Sequence, residues 1–266
     1  MRAAISDGCG CFPTGRHYAG IAHLLRSVVR GLADELGAAD VAWSDIPIAM
    51  LDVETTGRDA SIDRVVEIGI VVGRGGEVIA RYNWMVNPGM PIPEEVRAVH
   101  GISDDDVKDS PRFEVIAHEI VAALSGCIPA AYNAPFDRAF LHAELGRAQL
   151  VAGQAFAGAA AVSPTGPGTS GVPHAPAARR DVEWLDPLVW AREIQREEKS
   201  KALGEVAARL GVKLENAHRA MDDAEAALHV FYKLATDTRV PRAYGAVVQE
   251  QRRLGLLQQD ERRFWR

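Results

Sequence analysis

The sequence predicts an α/β layered fold in which a mixed central sheet is flanked by helices. Apolar runs typical of strands occupy residues 46–54, 64–72 and 78–88. Segments with the periodicity of amphipathic helices follow and alternate with further short strand-like runs. Such alternation indicates helices packed on a sheet, which begins here with an antiparallel meander. A chain of 266 residues is long enough for one such domain with additions.

The predicted sheet begins with IPIAMLDVE at residues 46–54, which has the apolar composition of a buried strand. RVVEIGIVV at 64–72 and VIARYNWMVNP at 78–88 are the next strands. The glycine pair at 75–76 lies between them and predicts a hairpin turn.

Helices and short strands alternate in the rest of the predicted domain. Residues 110–126 form a helix that starts at Ser-Pro and stops at Gly, and residues 127–133 form a strand. Further along, we expect helices at 135–147, 201–212 and 220–235, and a strand leading into a helix at 181–197.

Composition divides the chain into three parts. Residues 1–45 are predicted to be a leader with an amphipathic helix, 46–235 the main domain, and 236–266 a helical tail. Within the main domain, residues 152–180 are rich in Ala, Gly, Pro and Ser. Because they hold few large apolar side chains, we predict a flexible insertion. An alternative interpretation of the leader is a zinc site formed by Cys9, Cys11, His17 and His23, but the spacing of these residues fits no common zinc finger.

Charge and cysteine content exclude several classes of protein. A formal net charge of −6 argues against a protein that coats nucleic acid through general positive charge. It is compatible with a nucleic-acid enzyme, because bound cations offset the charge of metal-binding carboxylates. No apolar stretch reaches the roughly 18–20 residues of a membrane span, so no membrane partner is expected. Three cysteines make a poor disulfide framework, so we expect a cytoplasmic protein.

Two acids lie at the end of the first predicted strand. Asp52 and Glu54 are two positions apart, so their side chains point to the same face, about 6–7 Å from each other. Like charges at that distance repel each other unless a cation lies between them. The pair is therefore either a strand end exposed to solvent or part of a cation site.

Two other regions place acids at the start of a helix. Asn133 and Asp137 follow a strand, where open α/β sheets usually bind ligands. His218 precedes a helix that carries Asp222 and Asp223. At about 100° per residue, Asp223 lies on the flank of the apolar face of this helix, whereas Asp222 faces solvent.

Taken together, these residues predict a metal site. Each has an ordinary alternative, since Asp137 and Asp223 could be first-turn acids favoured by the helix dipole, and His218 a capping or surface histidine. Four carboxylates and one histidine, however, would form an oxygen-rich site. Such ligands suit Mg²⁺ or Mn²⁺ better than zinc.

The motifs LDVETTG, VHGIS, YNAPFDRAFL and HRAMDDA, in this order, resemble the DEDDh-type 3′→5′ exonucleases, the family of the proofreading epsilon subunit of bacterial DNA polymerase III. The resemblance covers roughly residues 46–235 and is interrupted by the predicted insertion. It implies a ribonuclease H-like three-layer fold, to which the N-terminal helical extension and the C-terminal helical tail are additions.

The resemblance also implies a reaction. Asp52, Glu54, Asp137 and Asp223 match the four carboxylates that bind two divalent cations, and His218 matches the general base. The expected activity is two-metal-ion hydrolysis that releases nucleoside monophosphates from DNA 3′ ends, in proofreading or repair.

Five further residues are expected to bind the substrate. Backbone groups of Thr55 and Thr56 match those that contact the terminal nucleotide, and His100 matches a residue of the nucleotide pocket. Phe136 matches an aromatic residue that packs against the terminal bases, and Asn133 lies near it. Two alternatives stay open, since Phe136 equally fits a core position of its helix, and His100 fits a loop residue that caps the next helix.

The expected substrate is a single-stranded or frayed DNA 3′ end, and the expected protein partner is a replicative or repair polymerase that acts in trans. The first alternative is the same chemistry on RNA, since nothing in the sequence tests for a 2′-hydroxyl group. The second is a catalytically inactive nucleic-acid-binding module, against which all four carboxylate positions are occupied.

Overall fold

The computed structural model describes residues 40–148 and 175–264. The predicted N-terminal helix, the zinc alternative in the leader and residues 152–174 of the predicted insertion lie outside the described residues. The last residues of that predicted insertion, 175–180, are described. Ala175 and Ala177 are buried in the core beside a short 3-10 turn, Pro176–Ala178.

A four-stranded mixed sheet forms the centre of the described chain. Its strands are β1 (Ile48–Thr55), β2 (Val65–Arg74), β3 (Glu77–Met85) and β4 (Ile128–Ala130). They are ordered β3-β2-β1-β4, with β1, β2 and β3 antiparallel and β4 parallel to β1. Gly75 and Gly76 have φ of 62° and 95° in the predicted hairpin, a conformation that glycine adopts at little cost. The predicted mixed sheet is confirmed.

Eight helices surround this sheet in the described residues. They are α1 (Glu94–His100), α2 (Asp104–Val107), α3 (Phe113–Leu124), α4 (Ala134–Arg147), α5 (Pro187–Ile194), α6 (Leu203–Leu210), α7 (Ala220–Leu234) and α8 (Tyr244–Phe264). Helices α1 and α2 had no counterpart in the sequence prediction, because seven and four residues are too few to show a helical period. No helix in the described part of the chain has the length and apolarity to cross a bilayer.

The strand predicted before α5 is reduced to a single bridge. Leu185 pairs in parallel with Ala130, and the chain then leaves the sheet. Asp186 ends the pairing because it caps α5, its carboxylate accepting a hydrogen bond of 2.9 Å from the Leu188 amide. Pro187 then supplies the first helical position.

The sheet separates two apolar layers, and β1 contributes to both. Ile48 and Met50 pack in the layer that contains α5, α6, α7 and α8. Leu51 and Val53 pack in the opposite layer, which contains α3 and α4. Because side chains alternate along a strand, Asp52 and Glu54 continue the face of β1 that α7 covers.

The predicted C-terminal helical tail is observed as α8, and it packs on the domain through a buried polar residue. Gln251 accepts hydrogen bonds from the Asp186 amide at 2.8 Å and from the Trp190 indole at 3.3 Å, and its own amide donates to the Trp184 carbonyl at 2.8 Å. These bonds attach α8 to the segment that leads into α5.

Candidate active site

The end of β1 supplies the first two acids of the candidate site. Asp52 and Glu54 are partly exposed, while Val53 between them is buried. Across the ladder, Asp52 faces Gly69 and Glu54 faces Glu67 of β2. The pairing shifts after Glu54, where β1 reaches its last residue. The side chains therefore share one face, as the strand period predicted.

Asp137 reaches the same strand end from α4. Its carboxylate is 3% exposed and accepts a hydrogen bond of 3.2 Å from the amide of Val53. Because Val53 lies between Asp52 and Glu54, this bond brings the third acid to the predicted pair. Burial raises the pKa of Asp137 well above its usual range, and the charges of Asp186 and Glu54 raise it further.

The start of α7 brings in the fourth acid and the histidine. It lies directly on β2 because Gly69 has no side chain, and a Cβ there would lie 2.4 Å from the backbone of Ala220 and Met221. The Asp223 carboxylate accepts a hydrogen bond of 3.0 Å from the His218 amide. His218 is exposed and has a left-handed backbone with φ of 67°, which is uncommon for a residue other than glycine.

Ligand atoms of Glu54, Asp223 and His218 all lie within 4.8 Å of one another. Burial raises the pKa of Glu54 to about 7, and the charges of Asp223 and Glu67 add to this effect while Arg219 opposes it. Burial also raises the pKa of Asp52, with further contributions from Asp137, Asp223 and Glu54.

Burial is the largest cause of these shifts, and repulsion between neighbouring carboxylates adds to it. A site that holds several acids against mutual repulsion and burial fits a divalent cation, whose charge removes that penalty. The donor set is mostly carboxylate oxygen, which suits Mg²⁺ or Mn²⁺. The residues present therefore fit the predicted cations.

Sequence reasoning missed a buried ion pair beside these acids. Glu67 is 1% exposed, and its carboxylate accepts hydrogen bonds from Arg219 at 2.8 and 3.0 Å, from Asn83 at 2.9 Å and from the Ala220 amide at 3.2 Å. Burial raises the pKa of Glu67, but these hydrogen bonds outweigh burial and lower it. The available signal was an acid inside the apolar run VVEIGIVV, since a buried charge requires a partner.

His100 and the two threonines lie next to the end of β1. His100 is the last residue of α1 and is 6% exposed. Its Nδ1 accepts a hydrogen bond of 3.0 Å from the Ile102 amide. Burial lowers the pKa of His100, and the nearby Thr55 backbone opposes this effect. Ser103 and Asp106 form the capping box of α2, so His100 does not cap that helix.

Both threonine side chains support the turn after β1. The Thr55 hydroxyl donates to the Gly57 carbonyl at 2.5 Å, and the Thr56 hydroxyl accepts from the Arg64 amide at 3.0 Å. The Thr56 amide donates to the Arg64 carbonyl at 2.9 Å. The backbone donor of Thr56, which was expected to contact a nucleotide, is thus already used within the fold.

Asn133 and Phe136 lie at the start of α4. Asn133 is the N-cap residue, exposed and left-handed with φ of 70°, and its amide donates to Asp186 at 3.0 Å. Phe136 is partly buried, packs against the core layer of α3 and α4, and lies with its ring centre 4.9 Å from that of Phe140. Phe136 thus combines the core position with a partly exposed ring.

Part of the chain matches a known protein family. Residues 49–154 match the RNase_T family model, which describes an exonuclease. This part of the chain is therefore similar to the exonucleases of the RNase_T family. The match contains Asp52, Glu54 and Asp137, whereas His218 and Asp223 lie beyond it in the chain. The predicted resemblance to an exonuclease family is confirmed for the matched part of the chain.

A curated relative of this chain is the PolC-type DNA polymerase III of Staphylococcus aureus. It is 28% identical over 222 residues, which are 84% of this chain but 13% of the relative. The chain therefore spans about 13% of the length of such relatives.

Solved structures share the fold of this chain at low sequence identity. Exonuclease X in complex with 5′ overhanging duplex DNA aligns with a TM-score of 0.53 at 19% identity, over 77% of this chain and 99% of that chain. E. coli exonuclease I in complex with a dT13 oligonucleotide gives 0.57 at 18%, over 76% and 43%. The nuclease domain of 3′hExo, a DEDDh family member bound to rAMP, gives 0.55 at 13%, over 72% and 92%. The predicted ribonuclease H-like fold is confirmed.

Proposed function

We propose that this protein is a metal-dependent 3′→5′ exonuclease that releases nucleoside monophosphates from DNA 3′ ends. The observation that carries the proposal is the convergence of β1, α4 and α7, which groups Asp52 with Glu54, Asp137 and Asp223 at one end of the sheet. The exonuclease family match supports the reaction class.

The four carboxylates would hold two divalent cations, Mg²⁺ or Mn²⁺. Bound in this way, the cations supply Lewis acidity for the scissile phosphate and lower the pKa of the attacking water. Asp137 is held by its bond to the Val53 amide, and Asp223 by the His218 amide, so the carboxylates keep their orientation before substrate arrives.

His218 would accept the proton of the attacking water. Its imidazole lies with Glu54 and Asp223 in one cluster within 4.8 Å, and its backbone is fixed by Asp223 on one side and by Arg219 on the other. An exposed histidine in this place can pass the proton on to solvent.

The 3′-terminal nucleotide would lie between β1 and the start of α4. His100, buried beside the Thr55 backbone, would border the sugar or phosphate of this nucleotide. The partly exposed ring of Phe136 can stack on a base, which is worth about 1–3 kcal/mol without sequence preference. Asn133 and the backbone of Thr55 and Thr56 border the same space.

DNA is the favoured substrate because the curated relative is a DNA polymerase. The same relative suggests that this protein acts beside a polymerase. A cytoplasmic location agrees with this role. RNA is the second candidate substrate, because the chain shares its fold with a nuclease domain that was solved with bound rAMP.

The direct test uses 5′-labelled single-stranded DNA, duplex DNA and RNA of one sequence, each incubated with Mg²⁺, Mn²⁺ or EDTA. We expect stepwise shortening from the 3′ end, with single-stranded or frayed DNA degraded faster than RNA, and no shortening in EDTA. Asp52→Asn should lose the activity while remaining folded by circular dichroism.

Four outcomes would contradict the proposal. Shortening from the 5′ end would refute the polarity, and undiminished activity in EDTA would refute the metal dependence. Faster degradation of RNA would favour the second candidate. Binding of all three polymers without any hydrolysis would indicate an inactive binding module.

A further inference from the structure

A cleft of about 660 Å³ lies on the α4 side of the candidate active site. It runs from the first turn of α4 to α8, and the segment before α5 forms its floor. Its volume is within the range of protein ligand sites. The residues that line it include Ala134, Arg138, His142, Arg180, Glu183 and Arg252.

Three arginines give this cleft its chemical character. Arg138 comes from α4, Arg180 from the segment before α5, and Arg252 from α8. Within residues 40–148 and 175–264, none of the three side chains forms an ion pair or a hydrogen bond. The arginines next to them in the sequence do form ion pairs. Arg179 pairs with Asp181 at 2.7 Å, and Arg253 pairs with Glu250 at 2.6 Å.

Two of these three positive charges, those of Arg138 and Arg180, act on the same buried histidine, His142. Burial is the main cause that lowers the pKa of His142, and the charges of Arg138 and Arg180 lower it further, against a contact with the Ala177 carbonyl. Two guanidinium groups from different segments are therefore close enough to His142 to disfavour its charged form. Two acids also line the cleft. The Asp186 carboxylate accepts hydrogen bonds from the amides of Asn133, Ala134 and Leu188, and Glu183 is partly exposed.

The cleft and the carboxylate cluster share one turn of helix. Asp137 of the cluster and Arg138 of the cleft are consecutive residues, so their Cα atoms are about 3.8 Å apart. A strand whose 3′ end reached Asp137 could therefore continue over Arg138. Guanidinium groups suit this role because they bind phosphate with two parallel hydrogen bonds.

We propose that this arginine cleft, formed by Arg138, Arg180 and Arg252, binds the phosphodiester backbone of the nucleic-acid strand upstream of the 3′ end that is cleaved. This assignment rests on the proposed exonuclease function and adds to it the path of the substrate. It predicts a dependence on substrate length, because a mononucleotide ester does not reach the cleft whereas an oligonucleotide does.

The test compares two triple variants that remove the same charge. R138Q/R180Q/R252Q alters the cleft, whereas R74Q/R112Q/R242Q removes three arginines elsewhere that also lack an ion pair in the described chain. Binding of a labelled single-stranded oligonucleotide is measured by fluorescence anisotropy in EDTA across a salt series. We expect about tenfold weaker binding at low salt for the cleft variant, with a salt slope smaller by about 2. The control variant should change affinity less than about twofold.

Hydrolysis separates this proposal from the proposed function. With Mg²⁺, both triple variants should cleave the p-nitrophenyl ester of thymidine 5′-monophosphate like the wild type, while only the cleft variant has a raised KM for the oligonucleotide. Equal weakening of oligonucleotide binding in both triple variants, or no weakening in the cleft variant, would overturn the cleft assignment. A wild type that binds the strand through the cleft but hydrolyses neither substrate would overturn the exonuclease function alone.

Discussion

The buried carboxylate of Glu67 in β2 accepts two hydrogen bonds from the Arg219 guanidinium, from Nη2 at 2.8 Å and from Nε at 3.0 Å. The two residues are 152 positions apart in the chain, and Arg219 directly follows His218. The ion pair therefore fixes the backbone at the start of α7, which is where the candidate base and Asp223 are placed. Glu67 also faces Glu54 across the ladder, so Arg219 reduces the repulsion between these two acids.

Glu67→Gln should weaken this anchor and loosen the loop that carries His218. We expect a loss of about 2 kcal/mol in the free energy of unfolding, because a buried charged hydrogen bond is replaced by a neutral one. We also expect a lower kcat with little change in KM, because the substituted residue does not contact the substrate. Urea unfolding and steady-state kinetics on an oligonucleotide measure these effects.

Glu225→Gln is the matched control for this substitution. Glu225 lies on α7, the helix that directly follows Arg219, and pairs with Arg81 at 2.5 Å, but the Glu225 side chain is 31% exposed, whereas that of Glu67 is 1% exposed. Surface pairs contribute about 0–1 kcal/mol, so the control should change neither stability nor kcat appreciably. Equal effects of the two substitutions would contradict a positioning role for Glu67.

His218→Ala tests the assigned general base. We expect kcat to fall by about 10²–10⁴-fold, the usual contribution of a positioned proton acceptor. Stability should hardly change, because His218 is exposed and its amide, which bonds to Asp223, is retained. His229→Ala, on the outer face of α7 beside Glu225, should leave kcat unaltered. Full activity of the His218 variant would refute the role.

Asp222 and Asp223 offer a test with adjacent residues of one type. Burial raises the pKa of Asp223, which lies in the cluster with Glu54, whereas Asp222 is directed to Asn216 at 3.5 Å. Asp223→Asn should lower activity by at least about 100-fold and weaken Mn²⁺ binding, since even supporting residues of metal sites contribute that much. Asp222→Asn should retain activity and binding. Calorimetric titration with Mn²⁺ and the exonuclease assay measure both, and similar losses would contradict the assignment.

The sequence was sufficient for those parts of the site that depend on local periodicity. Alternation along β1 placed Asp52 and Glu54 on one face, and the helical period selected Asp223 over Asp222. Both inferences need only the period of a single element, and the structure agrees with both.

Relationships between distant segments could not be predicted in this way. The Glu67–Arg219 pair depends on how α7 lies across β2, which no local pattern encodes. The arginine cleft likewise joins three segments whose packing is set by buried polar contacts such as those of Gln251. The occupied amide of Thr56 follows from a turn that closes on Arg64, eight residues away.

The raised pKa values predict how the metal-free protein responds to pH. The folded-state pKa of Glu54 is about 7 and those of Asp52 and Asp137 are also raised, so the folded protein holds protons that the unfolded chain releases. Their stabilising effect is present at acidic pH and is lost as the pH rises through about 7. In EDTA, the free energy of unfolding should therefore fall between about pH 5 and pH 8, with Glu54 contributing on the order of 3 kcal/mol.

Two comparisons check this pH dependence by urea unfolding. Glu54→Gln should flatten the decrease, because the titrating group is absent. Mg²⁺ should stabilise the protein most at the alkaline end, where the carboxylates are ionised and can bind it. A decrease that is identical in the wild type and in Glu54→Gln would contradict the assigned cause.

Gly69 tests whether close contact between β2 and α7 assembles the site. A Cβ at this position would lie 2.4 Å from backbone atoms of Ala220 and Met221, which cannot move as a flexible side chain can. Gly69→Ala should therefore destabilise the fold by about 1–3 kcal/mol. It should also shift the start of α7 away from β1, so that kcat falls even at temperatures where the variant is fully folded.

Gly146→Ala is the control, because a Cβ there meets nothing within 4 Å and α4 should gain about 0.5–1 kcal/mol. A Gly69 variant that is destabilised but has normal kcat when folded would show that the approach of α7 supports the fold without setting the geometry of the site.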